Sequence, residues 1–199
     1  MIEKEIRGFI DKNAFTSIRE RFADLLGQPT ESRRLSLAIA DYDNLTLETK
    51  IRITNGKAEV VQKVGDFTAT DREEITIKLD GLSAGQLVDL FITYKNFLND
   101  KPNPMLTLIQ HENYIFRNDR VEVKLFRQFG NDEFFAFEVE ALVEMEDAEL
   151  DKFCADNGLV VDPNYNNYES IQKRNSKVNI DLRSIETNML ESIVRSYLK

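Results

Sequence analysis

The chain has 199 residues, with 35 Asp and Glu against 26 Lys and Arg, a formal charge of −9 and 42% hydrophobic positions. That is the composition of a folded, acidic, soluble domain and excludes a disordered or fibrous chain. A domain of this length buries well over half of its unfolded-state surface, so its stability requires neither disulfides nor a structural metal. Its one cysteine, Cys154, excludes an internal disulfide. The first residues, Met1-Ile2-Glu3-Lys4-Glu5, have neither the basic nor the apolar region of an export signal, and no run approaches the roughly 18 apolar residues of a membrane span. Net acidity argues against broad binding to nucleic acid or anionic lipid. A cytoplasmic protein without membrane or nucleic-acid partners is the expectation.

Ile2, Ile6 and Ile10 alternate with Glu3, Glu5 and Arg7, the period-2 pattern of a strand with a charged face. Asp11 is placed to cap a helix whose stripe is Ala14, Phe15, Ile18, Phe22, Leu25 and Leu26, closed by Gly27. Residues 34–64 read as a three-strand meander, turning near Asp43-Asn44 and at Asn55-Gly56, a pair suited to a type I′ hairpin. A fifth strand covers 71–79. Ser83-Ala84-Gly85-Gln86 has capping-box spacing ahead of a second helix lined by Leu87, Leu90, Phe91, Tyr94, Phe97 and Leu98. Lys101-Pro102-Asn103-Pro104 stops it. Strands over 106–116, 120–128 and 133–144 follow as a second meander, then a short helix near 147–156 ending at Asn157-Gly158. The last helix carries Ile185, Met189, Ile193, Val194 and Tyr197. One domain over 1–158 with a helical extension, 159–199, packed on it accounts for the pattern, and 159–182 has the least of it.

Successive strand residues point to opposite faces, so each strand can be split by parity. One face carries Glu3/Glu5/Arg7, Lys50/Arg52, Lys63, Arg72/Glu74/Thr76/Lys78, His111/Asn113, Arg120/Glu122/Lys124 and Glu138/Glu140. The other carries Ile51/Ile53, Ile75/Ile77, Val121/Val123/Leu125 and Phe135/Phe137/Val139, which the helix stripes can cover. Two architectures fit. An open antiparallel sheet would leave the charged face in water, and alternation alone favours it. An eight-stranded barrel would turn that face inward and pack the helices outside.

Glu3 and Glu5, like Glu138 and Glu140, sit two apart on one face, about 6.6–7 Å between alpha carbons. A divalent cation, Mg²⁺ or Mn²⁺, relieves their repulsion, and Mg²⁺ accepts a few carboxylates completed by waters and phosphates. Arg7, Lys50, Arg52, Lys63 and Arg72 supply the matching surface for a phosphate chain.

Glu3-Lys4-Glu5-Ile6-Arg7 resembles the N-terminal Glu-x-Glu-x-Lys/Arg signature of the CYTH proteins, or triphosphate tunnel metalloenzymes. Lys50-Ile51-Arg52 is similar to the family's third-strand basic pair and Gln62-Lys63 to its fourth-strand lysine. Arg72-Glu73-Glu74 is similar to its Arg-x-Glu, and Phe137-Glu138-Val139-Glu140 to its late Glu-x-Glu. Tyr168-Glu169-Ser170-Ile171 looks like its late Tyr-containing helix. The ordered set is more specific than any piece alone. It implies the α+β fold of an eight-stranded antiparallel barrel, a tunnel over 1–158 with a charged lumen. The resemblance also assigns Glu3, Glu5, Glu138 and Glu140 to metal binding and catalysis, and Arg7, Lys50, Arg52, Lys63, Arg72, Glu74, His111 and Lys124 to the substrate.

The pattern departs from the family where His111-Glu112-Asn113 replaces a Lys-x-Arg and where Lys124 stands near the place of an acidic residue. For each carboxylate the alternative is a salt bridge to a neighbouring Arg or Lys, and for His111 a hydrogen-bonded structural group. The implied activity is metal-dependent hydrolysis of inorganic triphosphate, thiamine triphosphate or a nucleoside triphosphate. An adenylyl cyclase and a binding or sensing module without turnover are the alternatives. Neither substrate identity nor oligomeric state is written in the sequence.

Overall fold

The computed structural model describes residues 4–41, 47–65, 73–97, 104–165 and 168–199. In chain order the elements are β1 (Lys4–Ile10), α1 (Lys12–Leu26), β2 (Thr30–Asp41), β3 (Leu47–Thr54), β4 (Lys57–Val64), β5 (Glu73–Lys78) and α2 (Ala84–Phe97). Then come β6 (Pro104–Arg117), β7 (Val121–Phe129), β8 (Glu133–Ala141), α3 (Asp147–Asp156), α4 (Tyr168–Val178), β9 (Ile180–Asp181), a 3-10 turn at Leu182–Ser184 and α5 (Thr187–Tyr197). The fold is α+β, with a mostly antiparallel sheet in the order β1-β8-β7-β6-β2-β3-β4-β5 and β9 paired to β6. Among the described residues no hydrogen-bonded ladder joins β1 to β5, so backbone pairing does not close the sheet into a barrel. The turn expected at Asp43-Asn44 and the stop at residues 101–103 lie outside the described residues.

The chain divides into two compact units, residues 1–32 with 111–178 and residues 33–110 with 179–199. Of the segment read as a C-terminal extension, 159–178 belong to the first unit and 179–199 to the second.

In the first unit, the Asp11 side chain accepts from the Asn13 N–H at 2.8 Å and caps α1. Gly27 ends the helix at φ 90°. Phe15, Ile18 and Phe22, spaced three and four apart, form the buried stripe and pack with Val121, Val123, Leu125, Phe137 and Val139 of the sheet. Phe22 is wholly buried, a contribution of about 1.5–3 kcal/mol for a side chain of its size. Leu25, expected on the same stripe, is 53% exposed, and its neighbour Leu26 packs on the core instead. Leu150 and Cys154 bury one side of α3, where burial pushes the Cys154 thiol up to about 11 and leaves it unreactive.

In the second unit, Asn55 (φ 46°) and Gly56 (φ 80°) make the tight turn between β3 and β4 that the Asn-Gly pair predicts. α5 holds that turn, because the Gly56 N–H donates to the Tyr197 carbonyl at 3.1 Å. The capping box at α2 forms in both directions: the Ser83 N–H donates to Gln86 Oε1 at 2.9 Å, and the Gln86 N–H donates to Ser83 Oγ at 3.3 Å. The core joins Leu35, Leu37, Ile51 and Ile53 to Leu87 and Phe91 of α2 and Leu190, Val194 and Tyr197 of α5. Met189, expected on the α5 stripe, is 58% exposed because the buried line runs through 190, 194 and 197, about 100° around the helix. Ile75 and Ile77, expected beneath a helix stripe, stand 45% and 60% exposed on β5.

Gly8 marks the tightest backbone approach in the first unit. A Cβ there would lie 2.3 Å from the Val160 carbonyl oxygen and 2.6 Å from the Phe137 ring, so backbone as well as side chain would have to yield. Gly8→Ala should destabilise by about 1–3 kcal/mol in urea unfolding. A variant as stable as the wild type would mean that the 160 segment does not sit on β1.

Candidate functional site

In the first unit the register sets six charges side by side. Glu5 and Arg7 of β1 face Glu140 and Glu138 of β8, and on the opposite flank of β8 these face Glu122 and Lys124 of β7. Arg7 grips Glu5 with two hydrogen bonds, Nε to Oε1 at 2.9 Å and Nη2 to Oε2 at 2.7 Å, and reaches Glu138 Oε1 at 3.5 Å. Lys124 Nζ donates to the other Glu138 oxygen at 2.5 Å. Each of these side chains keeps between a fifth and a third of its exposure.

Burial and the neighbouring Glu138 raise the Glu5 carboxyl above its ordinary value, against the pull of Arg7. Burial works on Glu138 in the same sense, but Lys124 and Arg7 together outweigh it and hold Glu138 low. The difference is one of partners: Glu138 lies between two cations, whereas Glu5 has one at contact. Burial also resists the charge on Arg7, yet the two carboxylates raise its affinity for the proton.

A second cluster lies in the second unit. β3 presents Glu48, Lys50 and Arg52, opposite Lys63, Val61 and Glu59 of β4, and β4 in turn presents Lys63 to Glu74 of β5. Arg52 donates to Glu59 at 2.6 Å and to Glu74 at 3.4 Å, Lys63 reaches Glu74 at 3.1 Å, and Lys50 reaches Glu48 at 3.2 Å. Burial depresses the Lys50 ammonium; Glu48 opposes this, while Lys63 and Arg52 depress it further. Glu74 is held low by Lys63 and Arg52 despite a desolvation cost that acts the other way.

The predicted residues therefore form two groups, Glu5, Arg7, His111, Lys124, Glu138 and Glu140 in the first unit and Lys50, Arg52, Lys63 and Glu74 in the second. Glu3 and Arg72 lie outside the described residues. His111 shares a hydrogen bond of 2.8 Å with Gln128 and meets the Phe126 ring edge-on, while the Asn113 amide donates to Ser32 Oγ at 3.1 Å. Parity could have added Glu48 and Glu59, which alternate in phase with Lys50, Arg52 and Lys63. Tyr165 and Arg174 carry no such signal. The Arg174 guanidinium lies 4.4 Å from the Tyr165 ring centre and 5.3 Å from those of Phe9 and Phe134, and its Nε is buried without a hydrogen-bond partner. Burial pushes the Tyr165 hydroxyl up to about 12, keeping it neutral.

Glu5, Glu138 and Glu140 carry the carboxylate oxygens that Mg²⁺ and Mn²⁺ prefer, and burial first, then the neighbouring Glu138, disfavours the Glu5 charge. Among the described residues no group of three or more His, Cys, Asp or Glu is disposed to hold an ion.

No protein-family model matches the chain, and no curated protein does. Solved structures do match. A Pyrococcus horikoshii protein superposes with a TM-score of 0.57 at 12% identity, covering 81% of this chain and 95% of its own. A candidate adenylate cyclase of Bacillus halodurans gives 0.56 at 10% identity, covering 82% and 95%. A chain of the Schizosaccharomyces pombe Mediator head module gives 0.50 at 10% identity, covering 80% and 96%. At these identities the likeness is one of fold alone, an α+β fold with a mostly antiparallel sheet.

Proposed function

We propose that the chain binds a triphosphate-containing small molecule with a divalent cation, Mg²⁺ or Mn²⁺, and hydrolyses it. The observation that carries this reading is like-charge crowding of both signs. On one unit the half-buried Glu5 and Glu138 stand close beside Arg7 and Lys124, and on the other Lys50 has Lys63 and Arg52 as like-charged neighbours. Crowded acids gain from a metal cation and crowded bases from phosphate oxygens, the two components of a metal–triphosphate complex.

Glu5, Glu138 and Glu140, with Glu3, would hold the ion, which when bound supplies charge neutralisation and acidity to water. The chain's own groups do the rest. Lys50, Arg52, Lys63 and Arg72 exchange their carboxylate partners for phosphate oxygens and fix the phosphate chain. Arg7 and Lys124, set between the acidic residues, oppose charge that develops on the transferred phosphoryl group. His111, tied to Gln128, positions rather than neutralises.

Two observations favour other outcomes. The fold shared with the Bacillus halodurans candidate cyclase supports attack by a nucleotide 3′-hydroxyl in place of water. The closure of the described site cations into ion pairs, together with the fold shared with a Mediator head chain, supports binding without turnover.

Incubation with Mg²⁺ or Mn²⁺ and inorganic triphosphate, thiamine triphosphate or ATP should release phosphate. Pyrophosphate with cyclic AMP would establish the cyclase, and saturable binding without products the binding module. If no triphosphate binds, the proposal fails. Glu138→Gln with Glu140→Gln should abolish metal-dependent turnover while the circular dichroism spectrum is kept, and undiminished turnover would remove the late pair from the site. Lys63→Ala should weaken triphosphate binding about tenfold, the loss of one charge-assisted contact, read by calorimetry. An unchanged affinity would show that Lys63 does not touch the phosphates.

The raised Glu5 carboxyl gives a pH test. Glu5 keeps its proton above the ordinary value of 4.5, and a cation has to displace that proton. Mn²⁺ affinity, followed by electron paramagnetic resonance, should therefore climb with pH just above that value and then level off, while Glu138, held low, stays ionised. Glu5→Gln should remove the climb. A wild-type profile flat across that window would exclude Glu5 as a ligand.

A further inference from the structure

β5 ends the strand order and, among the described residues, pairs only with β4. All six of its residues are exposed. Edge strands are usually blunted by proline, a bulge or inward charge, because their free N–H and C=O groups invite another strand. β5 reads Glu-Glu-Ile-Thr-Ile-Lys and has no proline. Its register against Val60 and Gln62 puts Ile75 and Ile77 on the same face as Val64, making an exposed apolar strip at the sheet's edge.

We propose that β5 is a homotypic docking edge, on which the β5 of a second copy pairs antiparallel and continues the sheet. The sequence of the strand selects both partner and register. A two-fold axis perpendicular to the sheet keeps apolar faces together, so each residue must meet one of its own parity. With the axis through Thr76, Ile75 lies opposite the partner's Ile77 and Glu74 opposite the partner's Lys78, and symmetry repeats both pairs. Moving the axis to Ile75 would set Glu73 against Ile77 and Glu74 against Thr76, and would lose every opposite-charge pair. Lys78 has no ion pair among the described residues and is available for this contact. Glu74 already accepts from Lys63 and Arg52, and its second flank is the open edge. Complementary apolar and charged pairs across one axis make the strand its own partner.

Sedimentation velocity over about a hundredfold range of concentration should show a monomer–dimer equilibrium. Ile77→Lys, at an exposed position that leaves the fold intact, should raise the dissociation constant at least about tenfold by setting a charge against the partner's Ile75. Lys78→Glu should weaken the dimer, and adding Glu74→Lys should restore it, since the exchange rebuilds the pair with the charges reversed. Thr76→Cys should cross-link into a disulfide dimer on mild oxidation, whereas the native Cys154, being buried, should not. A chain that stays monomeric throughout overturns the proposal. So does a dimer indifferent to Ile77→Lys, or one that Thr76→Cys fails to capture.

Discussion

A strand cannot choose the side on which alternate residues emerge, and a charged side chain half out of water cannot be left without a partner. Together these two constraints organise the charged face. Period-2 alternation sends Glu5 and Arg7, Lys124, and Glu138 to one side while Ile6, Val123, Leu125 and Phe137 go to the other and meet α1. The antiparallel register then decides which charges meet. Glu138 sits on a central strand, so it is flanked by Arg7 on β1 and Lys124 on β7 and is stabilised by both. Removing either cation would leave a half-buried carboxylate beside Glu5, a costlier state than losing an exposed surface pair.

The same logic explains what could be read in advance. Element positions, the helix caps and the Asn55-Gly56 turn follow from local chemistry, and residue parity separates the charged face from the core with no knowledge of neighbours. Neighbours are where the sequence falls silent. That Arg52 answers to Glu59 and Glu74, or that Lys50 leans on Glu48, depends on how β3, β4 and β5 are aligned, and register is not written within any one strand. Ile75 and Ile77 show the converse: their alternation predicts a buried face, but burial needs a covering element, and they stand exposed. Arg174 is harder still. Its three ring contacts bring together β1, β8 and the 165 turn, so no periodic signal announces them.

Hydrolysis, cyclisation and binding without turnover share one ground state, a polyanion with its counter-cation held among fixed charges. A fold that arranges such charges can serve any of the three, and structures with this fold carry names as different as adenylate cyclase and Mediator head. What separates them is which nucleophile reaches which phosphorus.

The departure at His111 and Asn113 limits how far the basic surface extends along β6. Two cations at those positions would extend the basic surface along β6. Instead His111 is engaged with Gln128, and Asn113, 1% exposed, spends its amide donor on Ser32 while its carbonyl oxygen Oδ1 is buried without a hydrogen-bond partner. An unpaired buried acceptor attracts a donor and repels a phosphate oxygen. The predicted strand cations that remain are Lys50, Arg52 and Lys63 in the second unit and Arg7 and Lys124 in the first, each already set against a carboxylate of its own unit.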